Sequence, residues 1–515
     1  MQLSNILQNI EIQKLHGNAH GQVSSICYDS RKCGENSLFV AIPGLKTDGH
    51  NFIPEALDRG ARFILHERKF TPPAGITAIQ VGDSRRILGL LGKNFFGHPS
   101  AGLCLIAVTG TNGKTTVTYI LESIIKAAGF SPGVLGTVNY RYGGTVMPAP
   151  NTTPESFDMQ RILRQMVDAG VSHVIAEVSS HAIDLQRVDD CDFDMGIFTN
   201  LSQDHLDYHG NMGSYFSAKK RFFTDVLPLS QKGRPIRMIV NRDDPWGRRL
   251  LNEVTLPAWS FGVEAPGDIH VESFILTPQD TEVLLCWGGD GGASRIVSSL
   301  IGRHNLYNIL AAAAGALALG IPEKDVIAGI GNLRNVPGRL ERVNLPGEPD
   351  VFVDYAHTED ALEKVLQNLS SFQRNHIITV FGCGGDRDRG KRPLMGKAAV
   401  TLSDLTILTS DNPRSENPLD ILEEIEKGIP KEGIRKYTVE EVQNRLPEKG
   451  YTVIPDRRTA IEKAIGIAEK GDIVLIAGKG HEDYQLVGAE RLFFDDCLVA
   501  RDALTRIRDE KRSLP

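Results

Sequence analysis

Apolar residues along the chain come in short runs, and the pattern of those runs changes twice. Over the first hundred residues, brief runs such as Ser37-Leu38-Phe39-Val40-Ala41-Ile42 alternate with turns at Pro43-Gly44 and Asp48-Gly49. This predicts a small α/β or mixed domain closing near Gly97-His98-Pro99. From there the pattern is regular: an apolar run at 103–108, a Gly-rich turn, then a helical stretch at about 115–128. Buried-strand candidates follow at 173–176, 193–198 and 236–240, separated by helical segments, which predicts βαβ units and a mostly parallel sheet. The Ala-rich segment after Asn305 predicts a helix stopped at Gly320, with Pro322 two residues on. Near Pro337-Gly338 a third unit begins. Its strands at 351–353, 377–381, 405–408 and 473–476 alternate with helices, as in a doubly wound sheet. The expected fold class is therefore α/β with three domains, 1–100, 101–337 and 338–515.

Composition changes this picture little. A hydrophobic fraction of 41% and a charged fraction of 23% are ordinary for a soluble globular protein. No run approaches the ~18 apolar residues that a membrane span needs, and the N-terminus lacks the basic and apolar regions of a signal peptide. Seven cysteines are scattered without a CxxC, so reduced thiols in a cytoplasmic protein are expected, with neither a disulfide framework nor a zinc site. A net charge of -7 argues against non-specific nucleic-acid binding and leaves room for an anionic substrate in a local basic pocket.

The run at 103–108 leads into Thr109-Gly110-Thr111-Asn112-Gly113-Lys114-Thr115-Thr116 and a helix. Nucleotide phosphates require such an arrangement: glycines let backbone amides approach, a helix N-terminus supplies positive potential, and a lysine meets the β and γ oxygens. Thr115 would hold Mg²⁺ through its hydroxyl. The GxxxxGK[ST] spacing fails because position 108 is valine, so the loop is a shorter form that binds ATP or GTP. Downstream, one apolar strand ends in Glu177-Val178-Ser179-Ser180-His181, and a second ends in Thr199-Asn200-Leu201-Ser202-Gln203-Asp204-His205. An acid at a strand's carboxyl end faces the ligand crevice of an α/β sheet and suits Mg²⁺. Each segment taken alone reads equally well as a solvated strand-end loop. By spacing alone, Lys219 in Ala218-Lys219-Lys220-Arg221 reads as a solvated lysine on a helix.

In order, GTNGKTT (110–116), EVSSHA (177–182), TNLSQDHLDYHG (199–210), Ala218-Lys219, GRHNLYN (302–308), PGRLE (337–341) and DYAHT (354–358) resemble the Mur ligase family over essentially the whole chain. The resemblance implies an N-terminal UDP-substrate domain, a central P-loop ATPase-type parallel sheet and a C-terminal Rossmann-like domain for the incoming amino acid. It implies nucleotide contacts at Gly110, Thr111, Asn112, Gly113, Lys114, Thr115, Thr116, Asn305, Asn308, Arg339 and Asp354, with Asp354 near the ribose. It also implies two Mg²⁺ ions held by Thr115, Glu177, His205 and a carbamylated Lys219, and a catalytic set of Lys114, Lys219, Glu177, His205 and Arg339. A monomer acting only on small molecules is expected.

Within the family, Tyr28-Asp29-Ser30-Arg31 followed by SLFVAIPGLKTDGH (37–50) resembles the MurE branch. That resemblance implies substrate contacts at Tyr28, Ser30, Leu45, Lys46 and Thr47, and at Asn151, Thr152, Thr153, Ser179 and Arg187 for the muramoyl dipeptide. Leu185 stands where glutamine often occurs. Asp411-Asn412-Pro413-Arg414 resembles the motif of branch members that use meso-diaminopimelate, with Arg387, Gly478 and Glu482 completing the set. The chemistry agrees. Diaminopimelate carries a distal carboxylate that lysine lacks, which suits a forked guanidinium such as Arg414 or Arg387, while Glu482 can receive the distal ammonium. The implied reaction is ATP-dependent amide ligation through an acyl phosphate. The alternatives are a lysine-adding relative, another Mur ligase or a folylpolyglutamate synthetase, and, from a different class, a P-loop switch protein without catalysis.

Overall fold

The computed structural model describes all residues except 45–46, 289–291, 344–347, 373, 443–447 and 514–515. The chain packs as two compact units, one of residues 1–271, 285–293 and 307–330, the other of 272–284, 294–306 and 331–515.

The first unit holds two sheets. The N-terminal one runs, in spatial order, Lys14–His16, Thr77–Gln80, Phe63–His66, Leu38–Val40 and Ile26–Cys27, parallel except at the Lys14–His16 edge. Helix Ser84–Phe95, capped by the Asp83 side chain, lies against helix Ser156–Asp168. A Cβ on Gly92 would come within 3.2 Å of Gln160 and Phe157, so the approach of the two helices depends on that small residue.

The central sheet is built around Cys104–Thr109, whose parallel neighbours are His173–Glu177 on one side and Met195–Phe198 on the other. Pro132–Leu135 lies beyond the first neighbour, and Arg237–Asn241 and Ala258–Gly262 beyond the second. An antiparallel pair, Asn139–Tyr142 and Thr145–Pro148, extends the Pro132–Leu135 side. Successive strands thus leave Cys104–Thr109 in opposite directions. At such a switch point the connections diverge and open a crevice at the carboxyl ends of the strands.

The second unit carries a sheet of order Glu341–Val343, Asp350–Asp354, Ile473–Ala477, Ile377–Phe381, Leu405–Leu408, Gly450–Val453 and Arg435–Lys436. Only Glu341–Val343 is antiparallel. Its inner strands read as unbroken apolar runs because helices cover both faces, the pattern expected of a buried parallel sheet. A separate hairpin pairs Tyr484–Val487 with Glu490–Phe493. The protein is thus a three-domain α/β architecture with a sheet in each domain.

Candidate active site

The phosphate-type loop leaves the carboxyl end of Cys104–Thr109 and enters helix Lys114–Ala127. Two of its residues must be glycine. Gly110 has φ +144°, and a Cβ there would lie 2.0 Å from Thr199 Oγ1. Gly113 caps the helix at φ +89°, and a Cβ there would lie 2.3 Å from Asn308 Oδ1. The loop is braced from the next strand end: Thr199 Oγ1 donates to Asn112 O at 2.6 Å, Asn112 N donates to Asn200 Oδ1 at 2.9 Å, and Thr111 N donates to Asn200 O at 2.9 Å. Lys114 Nζ donates to the carbonyls of Gly110 at 2.9 Å and Thr111 at 2.8 Å, which holds its charge over the loop. Thr116 is buried on the first helical turn.

Glu177 ends the neighbouring strand, 1% exposed. Thr115 Oγ1 donates to its Oε2 at 3.1 Å, Thr137 Oγ1 donates to the same oxygen at 2.9 Å, and Thr137 N donates to Oε1 at 3.0 Å. The hydroxyl and the acid expected from sequence at a Mg²⁺ site are therefore adjacent, and they are the hard oxygen donors that this ion takes. Among the described residues, no group of three or more His, Cys, Asp or Glu side chains is arranged as a metal site. His205 sits on a left-handed turn at φ +54°, its ring edge-on to His181 at 4.9 Å. His181 also contacts Tyr208 and His209, whose ring stacks on Tyr215. Partial burial lowers all three imidazoles below the ordinary histidine value, which favours the neutral form.

Lys219 corrects the solvated-lysine reading. It is 1% exposed on helix Met212–Arg221 and donates to Gly110 O at 2.9 Å and, at 3.5 Å, to Thr109 Oγ1. Burial first, and then the nearby Lys114 ammonium, hold its amine well below the usual lysine value. The helix turns this lysine inward because Tyr215 and Phe216, on the same buried face, pack into the core.

The residues expected to hold the dipeptide meet around the same strand end. Thr153 Oγ1 donates to Glu177 O at 2.8 Å and accepts from Ser179 N at 3.1 Å. Arg187 Nη1 donates to Thr153 O at 3.2 Å, and Thr152 Oγ1 lies 3.1 Å from Thr137 Oγ1. The Asn151 carbonyl accepts from Tyr140 OH. Glu155 pairs with Arg85 at 3.1 Å and with Arg187 at 3.5 Å. In the N-terminal domain, Ser30 Oγ donates to Glu55 Oε2 at 2.7 Å, Tyr28 OH donates to Asp158, and Thr47 is exposed. Leu45 and Lys46 lie outside the described residues. Sequence reasoning missed Thr137 and Arg85: a threonine after a strand and an arginine on a helix have no local signature.

In the second unit, Asp411-Asn412-Pro413-Arg414 follows Leu405–Leu408, and Gly478 to Glu482 follows Ile473–Ala477. Asn412 Nδ2 donates to Glu482 Oε2 at 2.7 Å, and Arg414 Nη1 donates to Gly385 O at 2.8 Å. Gly478 adopts φ +112°, and a Cβ there would come 2.7 Å from Asp411 Oδ2. Burial, then Asp411, raises the Glu482 carboxyl above the usual carboxylate range. Arg387 is exposed. Three groups went unassigned in the sequence. Lys479 is fully buried, 3.6 Å from Glu482. Arg457 and Asp496 form a fully buried pair, and Arg457 also donates to the carbonyls of Ala477 at 3.1 Å and Ser410 at 3.4 Å, where the two loops begin. Asn305 Nδ2 donates to Ile301 O at 2.8 Å, and Arg339 lies 4.8 Å from the centre of the Tyr355 ring. Asp354 accepts from the backbone amides of Leu340 at 2.7 Å and Ala356 at 2.8 Å. The first bond ties that carboxylate to the segment entering Glu341–Val343, and the second holds it within its own turn.

Comparison with known proteins bears on these sites. The models for the Mur ligase family catalytic domain, the Mur ligase middle domain and the Mur ligase glutamate ligase domain match residues 22–96, 108–316 and 338–480. A UDP-N-acetylmuramoyl-L-alanyl-D-glutamate--2,6-diaminopimelate ligase of Geobacter sulfurreducens is 44% identical, covering 96% of this chain and 97% of its own. The enzyme of the same name from Geobacillus thermodenitrificans is 41% identical, over 99% and 100%. A solved structure of a ligase with that name superposes with a TM-score of 0.69 at 29% identity, over 99% of both chains.

Proposed function

The chain belongs to the Mur ligase family, and on that footing we propose that it joins meso-2,6-diaminopimelate to UDP-N-acetylmuramoyl-L-alanyl-D-glutamate with ATP, a step of peptidoglycan synthesis. The observation that carries the choice of amino acid is the bond from Asn412 Nδ2 to Glu482 Oε2 at 2.7 Å, two residues from Arg414. It sets an acid beside a guanidinium, one for the distal ammonium and one for the distal carboxylate. Lysine has no carboxylate for that guanidinium, which leaves the guanidinium charge uncompensated beside the lysine ammonium.

The reaction has two steps. The D-glutamate γ-carboxylate, oriented by Ser179 and Arg187, attacks the γ-phosphorus of ATP, giving an acyl phosphate and ADP. The diaminopimelate amine then attacks the acyl carbon, the acyl C–O bond breaks, phosphate leaves with the electron pair, and the amine nitrogen gives up one proton to give the amide. Activation is needed because a carboxylate is a poor electrophile. Lys114 and Arg339 are the cations assigned to the transferring phosphoryl group. Gly110 to Thr116, with Asn305, Asn308 and Asp354, serve the nucleotide. Thr115, Glu177, His205 and a carbamylated Lys219 would hold two Mg²⁺ ions, whose contribution is to neutralise phosphate charge. The burial of Lys219 and its lowered basicity support the carbamate, since only a neutral amine captures CO₂.

Residues 1–100 serve the UDP moiety, 101–337 the ATP and 338–515 the amino acid, in a cytoplasmic monomer. No helix among the described residues is long and apolar enough to cross a membrane. The test is a panel of amino acids with purified protein, ATP and the UDP-dipeptide. Phosphate should be released only when both the dipeptide and diaminopimelate are present. Equal turnover with lysine would overturn the assignment, as would phosphate release without the dipeptide.

A further inference from the structure

Arg414 stands at φ +52°, in the left-handed region that a non-glycine residue seldom occupies without support. The support comes from the hairpin Tyr484–Val487/Glu490–Phe493, some seventy residues further along. Arg414 N donates to Leu486 O at 2.9 Å, Gly488 N donates back to Arg414 O at 2.7 Å, and the residue pairs with Val487 as an isolated parallel bridge. The hairpin reaches the preceding residues as well. Gln485 Nε2 donates to Asp411 O at 2.7 Å, and Leu486 N donates to Asn412 Oδ1 at 2.9 Å. Lys479, from the loop that carries Glu482, donates to Tyr484 O. One hairpin therefore binds both loops that the proposed function assigns to the amino acid.

Burial does not explain why the hairpin stays in place. Val487, Leu492 and Phe493 point outward, Phe493 at 74% exposure. An isolated two-stranded hairpin is marginal in water. Its order and the left-handed conformation of Arg414 thus depend on the same hydrogen bonds, and each sustains the other.

We infer that this hairpin, chiefly through Gln485 and Gly488, is a positioning element that sets the guanidinium of Arg414 for the distal carboxylate of the amino-acid substrate. The inference rests on the assignment of Arg414 made above. Gln485 acts through the Asp411–Arg414 backbone, whose Asp411 carbonyl it holds. Gly488 acts through its amide and through its own φ of +59°, and because nothing lies within 4 Å of a Cβ built there, substitution with alanine strains only the turn.

The experiment compares Gln485→Ala, Gly488→Ala, Arg414→Ala and the double variant Gln485→Ala/Arg414→Ala in the full-length protein, after thermal melts establish that each is folded. Gln485→Ala and Gly488→Ala should each raise KM for diaminopimelate about five- to tenfold, leaving KM for ATP and for the UDP-dipeptide unchanged. In the Arg414→Ala background, Gln485→Ala should add nothing, because a residue acting through Arg414 has nothing left to position. Unchanged diaminopimelate kinetics in both hairpin variants beside an impaired Arg414→Ala would overturn the inference alone. So would additive effects in the double variant. Unimpaired Arg414→Ala would overturn the underlying assignment and the inference with it. Gly488→Ala decides the matter should Gln485→Ala fail to fold.

Discussion

Lys219 Nζ donates to the carbonyl oxygen of Gly110 at 2.9 Å, so a fully buried amine is fastened to the first glycine of the phosphate loop. An ammonium there would face the Lys114 charge with no carboxylate hydrogen-bonded to it among the described residues, and burial already disfavours the charged form. Lys219→Ala should lose most activity, and acetate or formate should restore part of it by supplying the missing oxygen donor. Lys219→Arg should not be rescued, because the guanidinium keeps its charge and fills the space. Incorporation of ¹³CO₂, seen by NMR, would report the carbamate directly. Full activity with an unmodified lysine would refute it.

Lys114 tests the phosphate loop. Its ammonium is held by the Gly110 and Thr111 carbonyls, which is where it would meet the β and γ oxygens of ATP. Lys114→Ala should abolish acyl-phosphate formation while calorimetry still detects UDP-dipeptide binding. Near-normal turnover would move the catalytic phosphate site elsewhere.

Glu482 gives a pH dependence. Because burial and Asp411 raise its carboxyl, it takes up a proton at a higher pH than an exposed glutamate does. Once protonated it no longer offers a charge to the distal ammonium. KM for diaminopimelate should therefore rise as pH falls through this raised value, with KM for ATP changing less over the same interval. Glu482→Gln should show a high KM that no longer varies there. A wild-type KM that stays flat down to the ordinary glutamate range would contradict the role.

Gly110 can be tested as structure rather than as chemistry. Alanine there meets both an unfavourable φ of +144° and Thr199 Oγ1 at 2.0 Å. The loop must shift, and unfolding in urea should show a loss of about 1–3 kcal/mol together with loss of ATP binding. An unchanged midpoint with intact nucleotide affinity would mean that the loop relaxes freely.

Much of the protein was legible in its sequence, for a physical reason. A buried parallel strand needs an apolar run, so 377–381 and 405–408 coincide with strands Ile377–Phe381 and Leu405–Leu408. A phosphate loop needs its glycines within one short stretch of chain, so Gly110 and Gly113 announce themselves locally. Tertiary structure alone decided what depends on the approach of distant segments. Helical spacing left Lys219 looking solvated, and only the packing of Tyr215 and Phe216 into the core turned it toward Gly110. Thr137 reached Glu177 across forty residues, and Arg457, at the start of helix Arg457–Ile467, tied together two loop bases. The left-handed turn at Arg414 was equally hidden, because the bonds that sustain it come from a hairpin some seventy residues away. Periodicity and glycine placement record local constraints on the backbone; a polar side chain's partner is set by the fold, and no nearby residue carries its trace.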